Sequence, residues 1–455
     1  MNAHPIREVC SSAPVSTTAV PGVVRHGLRV DTGEESMIDI PARLSRRSFV
    51  ASVSLAAAGL CAGAPRAVRA ATGTSQDDAP PDDLDAFIRS RLESTRVPGV
   101  SLAIIRDGRL LYTEGYGFAN LAQRRPMRAD TLINVGSVTK TITCTAVMQL
   151  WERKRFALDD DVNAHLPFAV RNPGYPAVPV TFRQLLTHTS SIADGPAYEE
   201  SYACGDPRVP LGRWLRDNLA AGGATYDAQR NYHAWKPGAR YEYSNVAYGV
   251  LGHLVENLSG SSYSDYVLQN VFAPLGMAHS RFLLAGMDPG THATPYTYEK
   301  SGDVAAVRLR DPAWTPPADV RGGVQVPHCL YSFATPPDGL ARTSASELAR
   351  FLLAYVNGGE LEGHRLLEAT TVAQILSDQQ VHPAGIEGRR SLQGLAWHGL
   401  NGLGTATNWG HGGGDPGIST LMAFSPHDRS GVVALTNSDD PGDLTVDIAR
   451  RALGA

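Results

Sequence analysis

Two apolar, β-rich runs at residues 100–105 and 110–117 are separated by Arg106-Asp107-Gly108-Arg109. Asp-Gly between such runs is a strong hairpin signal, because both central residues of the favoured turn need a left-handed backbone. Near the other end of the 455-residue chain, 420–424 and 431–436 read as two more strands, and 444–453 as a closing helix. Between these ends the apolar residues recur at helical spacing, around 138–150, 181–186, 246–258 and 348–355. An opening helix is expected from Asp83, where Leu84, Phe87, Ile88 and Leu92 keep the same period. Strands at both ends with a helical middle predict an α+β fold. One antiparallel sheet draws on both chain ends, and a mainly helical region packs beside it.

The segment before that domain has a different character. Ser45-Arg46-Arg47-Ser48-Phe49-Val50 leads into a moderate apolar stretch ending at Ala64, then Ala67-Val68-Arg69-Ala70-Ala71. Twin arginines, a short apolar core and small residues at a cleavage point resemble a twin-arginine export signal. The core is about 16 residues with two glycines, where a membrane-spanning helix needs about 20, so no stable membrane span is expected. The predicted organisation is a signal peptide over 1–70, with Met37 as a possible true start, a linker over 71–82, and one domain over 83–455. The expected location is periplasmic or secreted.

Charge excludes one class of function. The net charge is −4, and the paired arginines are scattered. Nucleic-acid binding needs clustered cations to displace counterions, so no nucleic-acid partner is expected. No His-Glu-x-x-His, Cys-x-x-Cys or His-x-His occurs, so no metal or cofactor is implied. Past the leader three cysteines remain. Export permits a disulfide, and Cys204–Cys329 is the one pairing considered; Cys144 lies in a helical pattern and reads as a buried thiol.

Chemistry enters with Ser137-Val138-Thr139-Lys140. Spacing of three puts serine and lysine on one helical face, with the serine at the helix N-terminus among unpaired N–H groups. A serine hydroxyl is a poor nucleophile until a base takes its proton, and a neutral amine one turn away can do so. Ser-x-x-Lys is a loose pattern. Yet only four of the 41 basic residues are lysine, which reduces the chance expectation to roughly 0.3 occurrences. Arginine cannot serve where a proton must be lost.

Tyr243-Ser244-Asn245 supplies a second element: a tyrosine able to share the base role and an asparagine able to hold the lysine. A third is Trp409-Gly410-His411-Gly412-Gly413-Gly414-Asp415. It reads either as backbone laid bare for a substrate or as a plain glycine-rich turn. The His-Gly-Gly-Gly run also fits the oxyanion loop of α/β-hydrolases, but those need Gly-x-Ser-x-Gly, which is absent here.

In this order the three motifs resemble those of serine hydrolases related to class C β-lactamases, penicillin-binding DD-peptidases and their esterase relatives. Val97-Pro98-Gly99-Val100, Gly115-Tyr116-Gly117, Leu185-Leu186-Thr187-His188-Thr189-Ser190, Pro274-Leu275-Gly276-Met277 and Leu435-Thr436-Asn437 extend the likeness over nearly the whole domain. The resemblance implies a β-lactamase/transpeptidase-like fold and an acyl-enzyme on Ser137, with Lys140 and Tyr243 as acid–base pair. It further implies substrate orientation by Asn245, His411, Gly412 and Gly413, and an oxyanion hole from the N–H groups of Ser137 and Gly414. His188 reads as structural. His411 stands where β-lactamases of this type carry lysine, so an ester or D-amino-acid peptide is the expected substrate ahead of a β-lactam. The alternatives are a class C-like β-lactamase and a non-catalytic binding module.

Overall fold

The hairpin forms at the expected turn: strands Gly99–Arg106 (β1) and Arg109–Asn120 (β2) pair antiparallel up to Arg106 opposite Arg109, with a bulge after Ile104. The computed structural model describes residues 83–379, 392–400, 403 and 407–454. The expected leader and linker, residues 1–82, lie outside the described residues.

Five further strands complete the main sheet: Arg125–Pro126 (β3), His398–Leu400 (β4), Asn408–Asp415 (β5), Ile418–Ser425 (β6) and Ser430–Thr436 (β7). The strand order is β4-β5-β6-β7-β1-β2-β3, and every neighbouring pair is antiparallel. The two chain ends meet at the β7–β1 pair, with Val100 opposite Thr436 and Ile105 opposite Gly431. Both chain ends build the sheet, as the strand pattern implied.

Strand β1 is buried from Gly99 to Ile105 because both its faces are covered. Val100, Leu102 and Ile104 join the cluster under the opening helix Leu84–Thr95 (α1) and the closing helix Leu444–Leu453 (α5). Ala103 and Ile105 turn to the other face, into the large cluster that holds the helical middle. Each fully buried aliphatic side chain of this kind contributes about 1.5–3 kcal/mol.

Three helices of the middle matter for the site. Thr139–Glu152 (α2) buries every residue from Thr139 to Leu150 and runs through the centre of the fold. Its threonines do not oppose this burial, because Thr141, Thr143 and Thr145 donate their hydroxyls to backbone carbonyls. Asn245–Ser259 (α3) starts at Ser244, whose Oγ accepts from Ala247 N, and ends at a left-handed Gly260. Ala345–Val356 (α4) packs across the sheet. The middle is less purely helical than expected. It also holds two-stranded pairs, among them Ile133–Asn134 with Arg342–Thr343 and Ala203–Cys204 with Tyr331–Ser332.

Beside that second pair a disulfide joins Cys204 to Cys329, with Cα atoms 5.7 Å apart and 125 residues of separation in sequence. Cys144 is free and buried in α2. A cross-link over so long a loop restricts the unfolded chain strongly. Replacing both cysteines by serine is expected to cost about 2–4 kcal/mol, read as a lowered midpoint in denaturant. A midpoint unchanged within error would mean that the bridge does not constrain the unfolded chain.

Among the described residues, no helix is long and apolar enough to cross a membrane.

Candidate active site

The turn that carries Ser137 is built by sequence-local means. Asn134 Oδ1 accepts from Gly136 N at 3.0 Å, and Gly136 takes φ +52°, a left-handed conformation that lets the chain reverse. A single 3₁₀ turn, Gly136–Val138, then feeds α2. Ser137 therefore sits at the N-terminal end of a buried helix, where backbone N–H groups are unpaired and the dipole is positive.

Lys140 lies one turn on and is completely buried. Its Nζ is 3.0 Å from Ser137 Oγ, 2.7 Å from Asn245 Oδ1 and 2.9 Å from the backbone carbonyl oxygen of Asp338. The Tyr243 ring centroid is 4.7 Å from the same nitrogen. Residues from three separate regions of the chain thus converge on one amine.

Asn245 is aimed by a residue that sequence reasoning missed. Asp194 caps the start of α3: its Oδ2 accepts from Asn245 N at 2.8 Å, and its Oδ1 accepts from Val246 N at 2.9 Å and Ser244 Oγ at 3.0 Å. A carboxylate at a helix N-terminus is favoured by the dipole, but burial here outweighs the donors and raises the Asp194 carboxyl above its ordinary range. Tyr243 is aimed by His188, whose ring stacks on it at 4.1 Å. His188 Nδ1 accepts from Ser244 N at 3.1 Å. Burial first, and then the nearby charge of Lys140, drive the His188 imidazole well below its ordinary value, so it is neutral. His188 is a positioning residue here, in keeping with the structural role implied for it.

The glycine-rich run is not a plain turn. It belongs to strand β5, and Trp409 to Asp415 all pair with β6. Strand β4 covers only Asn408–Gly410, so on its other side the stretch from His411 to Asp415 lies beyond β4. Gly413 packs directly on the Ser137 turn: a Cβ there would lie 3.1 Å from Ser137 N, and one on Gly136 would lie 3.1 Å from Gly414 N. The N–H groups of Ser137 and Gly414 are brought to the same corner. Gly414 is exposed and Gly412 half-buried.

The His411 side chain is fully buried, with its ring 4.9 Å from that of His398. Its Nδ1 donates to the Gly412 carbonyl at 2.6 Å. Burial, followed by the neighbouring His398 and Lys140 charges, depresses its imidazole well below the ordinary range. It is a neutral group and offers a substrate carboxylate no positive charge.

Two further acids border the site. Asp338 lends its carbonyl to Lys140, and its carboxyl Oδ2 accepts from Tyr198 Oη at 2.7 Å. Asp415 follows Gly414, and its Oδ1 accepts from Tyr202 Oη at 2.8 Å. Burial pushes both carboxyls up to about 7; Lys140 opposes this most for Asp338, and the Tyr202 hydroxyl most for Asp415. No local pattern marks Asp194, Asp338 or Asp415, since their partners are distant in sequence. Among the described residues, no group of three or more histidine, cysteine or acidic side chains is placed to hold a metal ion.

Comparison with known proteins agrees with this construction. The family model described as Beta-lactamase matches residues 84–455. Protein flp of Staphylococcus aureus strain MRSA252 is 30% identical over 199 residues, covering 44% of this chain and 38% of flp. The chain therefore matches well under half the length of that relative. Among solved structures, the octameric penicillin-binding protein homologue from Pyrococcus abyssi superposes with a TM-score of 0.62 at 24% identity, covering 82% of this chain and 77% of that one. The D-amino acid amidase from Ochrobactrum anthropi SV3, complexed with D-phenylalanine, gives 0.59 at 23% identity, covering 82% and 98%. At such identities the two structures speak for the fold alone. With the family match spanning the whole described domain, the chain belongs to the β-lactamase family, within the β-lactamase/transpeptidase-like serine hydrolases.

Proposed function

We propose that this protein is an exported serine hydrolase that cleaves an ester or amide, a D-amino-acid peptide or a small ester, through an acyl-enzyme on Ser137. The observation that carries this reading is the set of three contacts made by Lys140 Nζ. In the structure Nζ donates to Ser137 Oγ, Asn245 Oδ1 and the Asp338 carbonyl. Once Lys140 gives up one proton, two N–H groups still serve Asn245 and Asp338, and the lone pair faces the Ser137 hydroxyl. In the first step the Oγ–H proton passes to Lys140, directly or through the Tyr243 hydroxyl, as Oγ attacks the carbonyl carbon. The Ser137 and Gly414 N–H groups receive the oxyanion. Collapse expels the leaving group, which takes the proton back from Lys140 or Tyr243. Water then repeats the sequence on the acyl-enzyme and frees Ser137.

The neutral, buried His411 argues for esters and peptides over β-lactams, because the penicillin carboxylate meets no cation there. Export through the twin-arginine leader to the periplasm or medium belongs to the same proposal, and the Cys204–Cys329 bridge supports an oxidising compartment. The test is parallel turnover of p-nitrophenyl acetate, a D-alanyl-D-alanine peptide with its C-terminus amidated, and benzylpenicillin. The expected kcat/KM for the ester or the peptide exceeds that for the penicillin by at least about tenfold, the loss of one charge-assisted hydrogen bond. Penicillin turnover as fast as either would reverse the substrate assignment.

A further inference from the structure

The reading above uses the backbone of Gly414 but not the side chain beside it. Asp415 stands on the part of β5 that β4 leaves uncovered, one residue past the oxyanion donor. Its Oδ2 lies 3.5 Å from the point where a Cβ on Gly339 would sit, and the Gly136 carbonyl carbon is 3.7 Å from that same point. Gly136 precedes the nucleophile, and Gly339 follows the residue whose carbonyl holds Lys140. The carboxyl therefore sits where the nucleophile's turn, the 336–339 turn and β5 come together.

Burial, and not a counter-charge, governs the Asp415 carboxyl. Its hydrogen bond comes from a phenol, Tyr202. The charged and titratable groups facing it are Lys140, Arg342, Glu199, Tyr198, Tyr202 and Tyr331. Arg342 is buried and donates to the Phe282 and Tyr331 carbonyls, and Lys140 is held by Ser137, Asn245 and Asp338. Among the described residues, no lysine or arginine forms an ion pair with Asp415. The residue keeps part of its surface exposed. The Tyr202 ring packs on Phe333 at 4.5 Å, which makes the wall around the acid aromatic. An acid beside an aromatic face is the chemistry that receives a cation.

A carboxylate on the residue next to the proposed oxyanion donor works against the reaction unless something positive comes between them. The substrate is the natural source. Adjacent Cα atoms are about 3.8 Å apart, so when Gly414 N–H binds the carbonyl oxygen, the side chain at 415 lies within reach of a group on the neighbouring carbon. We propose that Asp415 selects acyl groups bearing an ammonium next to the scissile carbonyl, and turns away those bearing a carboxylate there. This rests on the acyl-enzyme reading and deepens it, from esters and amides in general to aminoacyl substrates. Burial holds the empty-site carboxyl up near 7, and a bound ammonium draws it back to the charged form.

The test compares D-alanine p-nitroanilide with propionic acid p-nitroanilide, which differs only in lacking the ammonium. An ammonium also activates the carbonyl chemically, so the quantity read is the change in the kcat/KM ratio on Asp415→Asn. That ratio is expected to fall tenfold or more, the worth of a charge-assisted contact, and Asp415→Glu is expected to retain part of it. A purely structural role would slow both substrates alike and leave the ratio unmoved. In the wild type, free of any folding question, D-alaninamide is expected to inhibit ester hydrolysis at least tenfold more tightly than propionamide. An unchanged ratio or equal inhibition by the two amides overturns this inference. Labelling of Ser137 by a fluorophosphonate in that same protein would leave the acyl-enzyme reading standing, and failure to label would remove both.

Discussion

Replacement of Lys140 by arginine is expected to lower ester hydrolysis by roughly 10²–10⁴-fold, the range for loss of a general base, although arginine is likewise a basic side chain. The reason is chemical. A guanidinium holds its proton at any accessible pH and has no lone pair to offer Ser137 Oγ. Sterics add to this, because Lys140 is wholly enclosed and its nitrogen is held by an asparagine oxygen and a carbonyl from two different elements. Rates are read beside thermal unfolding, so that lost chemistry is separated from lost fold. Activity within tenfold of wild type in a folded Lys140→Arg protein would mean that the lysine serves as a fixed charge.

The second large effect is expected at Gly413. An added methyl would stand 2.2 Å from the Val135 carbonyl oxygen and 2.4 Å from Thr420 Oγ1. Neither neighbour yields easily: Val135 begins the turn that carries Ser137, and Thr420 donates to the Val135 carbonyl from the adjoining strand β6. Gly413→Ala is expected to cost about 1–3 kcal/mol of stability, as overpacking does. The loss of activity should exceed what unfolding explains, because parting β5 from the Ser137 turn pulls the two oxyanion donors out of register; one lost donor is worth roughly 10²–10³ in kcat. Gly414→Ala is the stability control, since its methyl meets nothing within 4 Å. A Gly413→Ala protein as stable and as active as wild type would contradict the packing of β5 on the nucleophile.

How much of this was legible in sequence depended on whether the signal was local. The Asp107-Gly108 hairpin announced itself because a two-residue turn leaves its requirement in two adjacent letters. The closing helix spans Leu444–Leu453 as its period predicted, and the expected run at 420–424 is the inner part of β6. Ser137 and Lys140 stood out through the scarcity of lysine, a property of the whole chain. Strand β5 was hidden because glycine disfavours strands. Only the contact with Val135 explains why Gly413 is tolerated there, and that contact spans most of the domain. The acids were hidden for a related reason. Asp194 reaches Asn245 across 51 residues and Tyr202 reaches Asp415 across 213, and no spacing rule covers such distances. Tyr198 lies in the short helix Pro196–Glu200 and Tyr202 just past its end, in a region whose placement cannot be derived from local propensity.

The central claim is an activated serine, and the most direct measurement is the intact mass of the protein after treatment with a fluorophosphonate, beside Ser137→Ala. The account predicts one adduct on the wild type and none on the variant. A folded wild-type protein that takes up no adduct, or one labelled equally after loss of Ser137, would contradict it, and the chain would then be read as a binding module on a hydrolase fold.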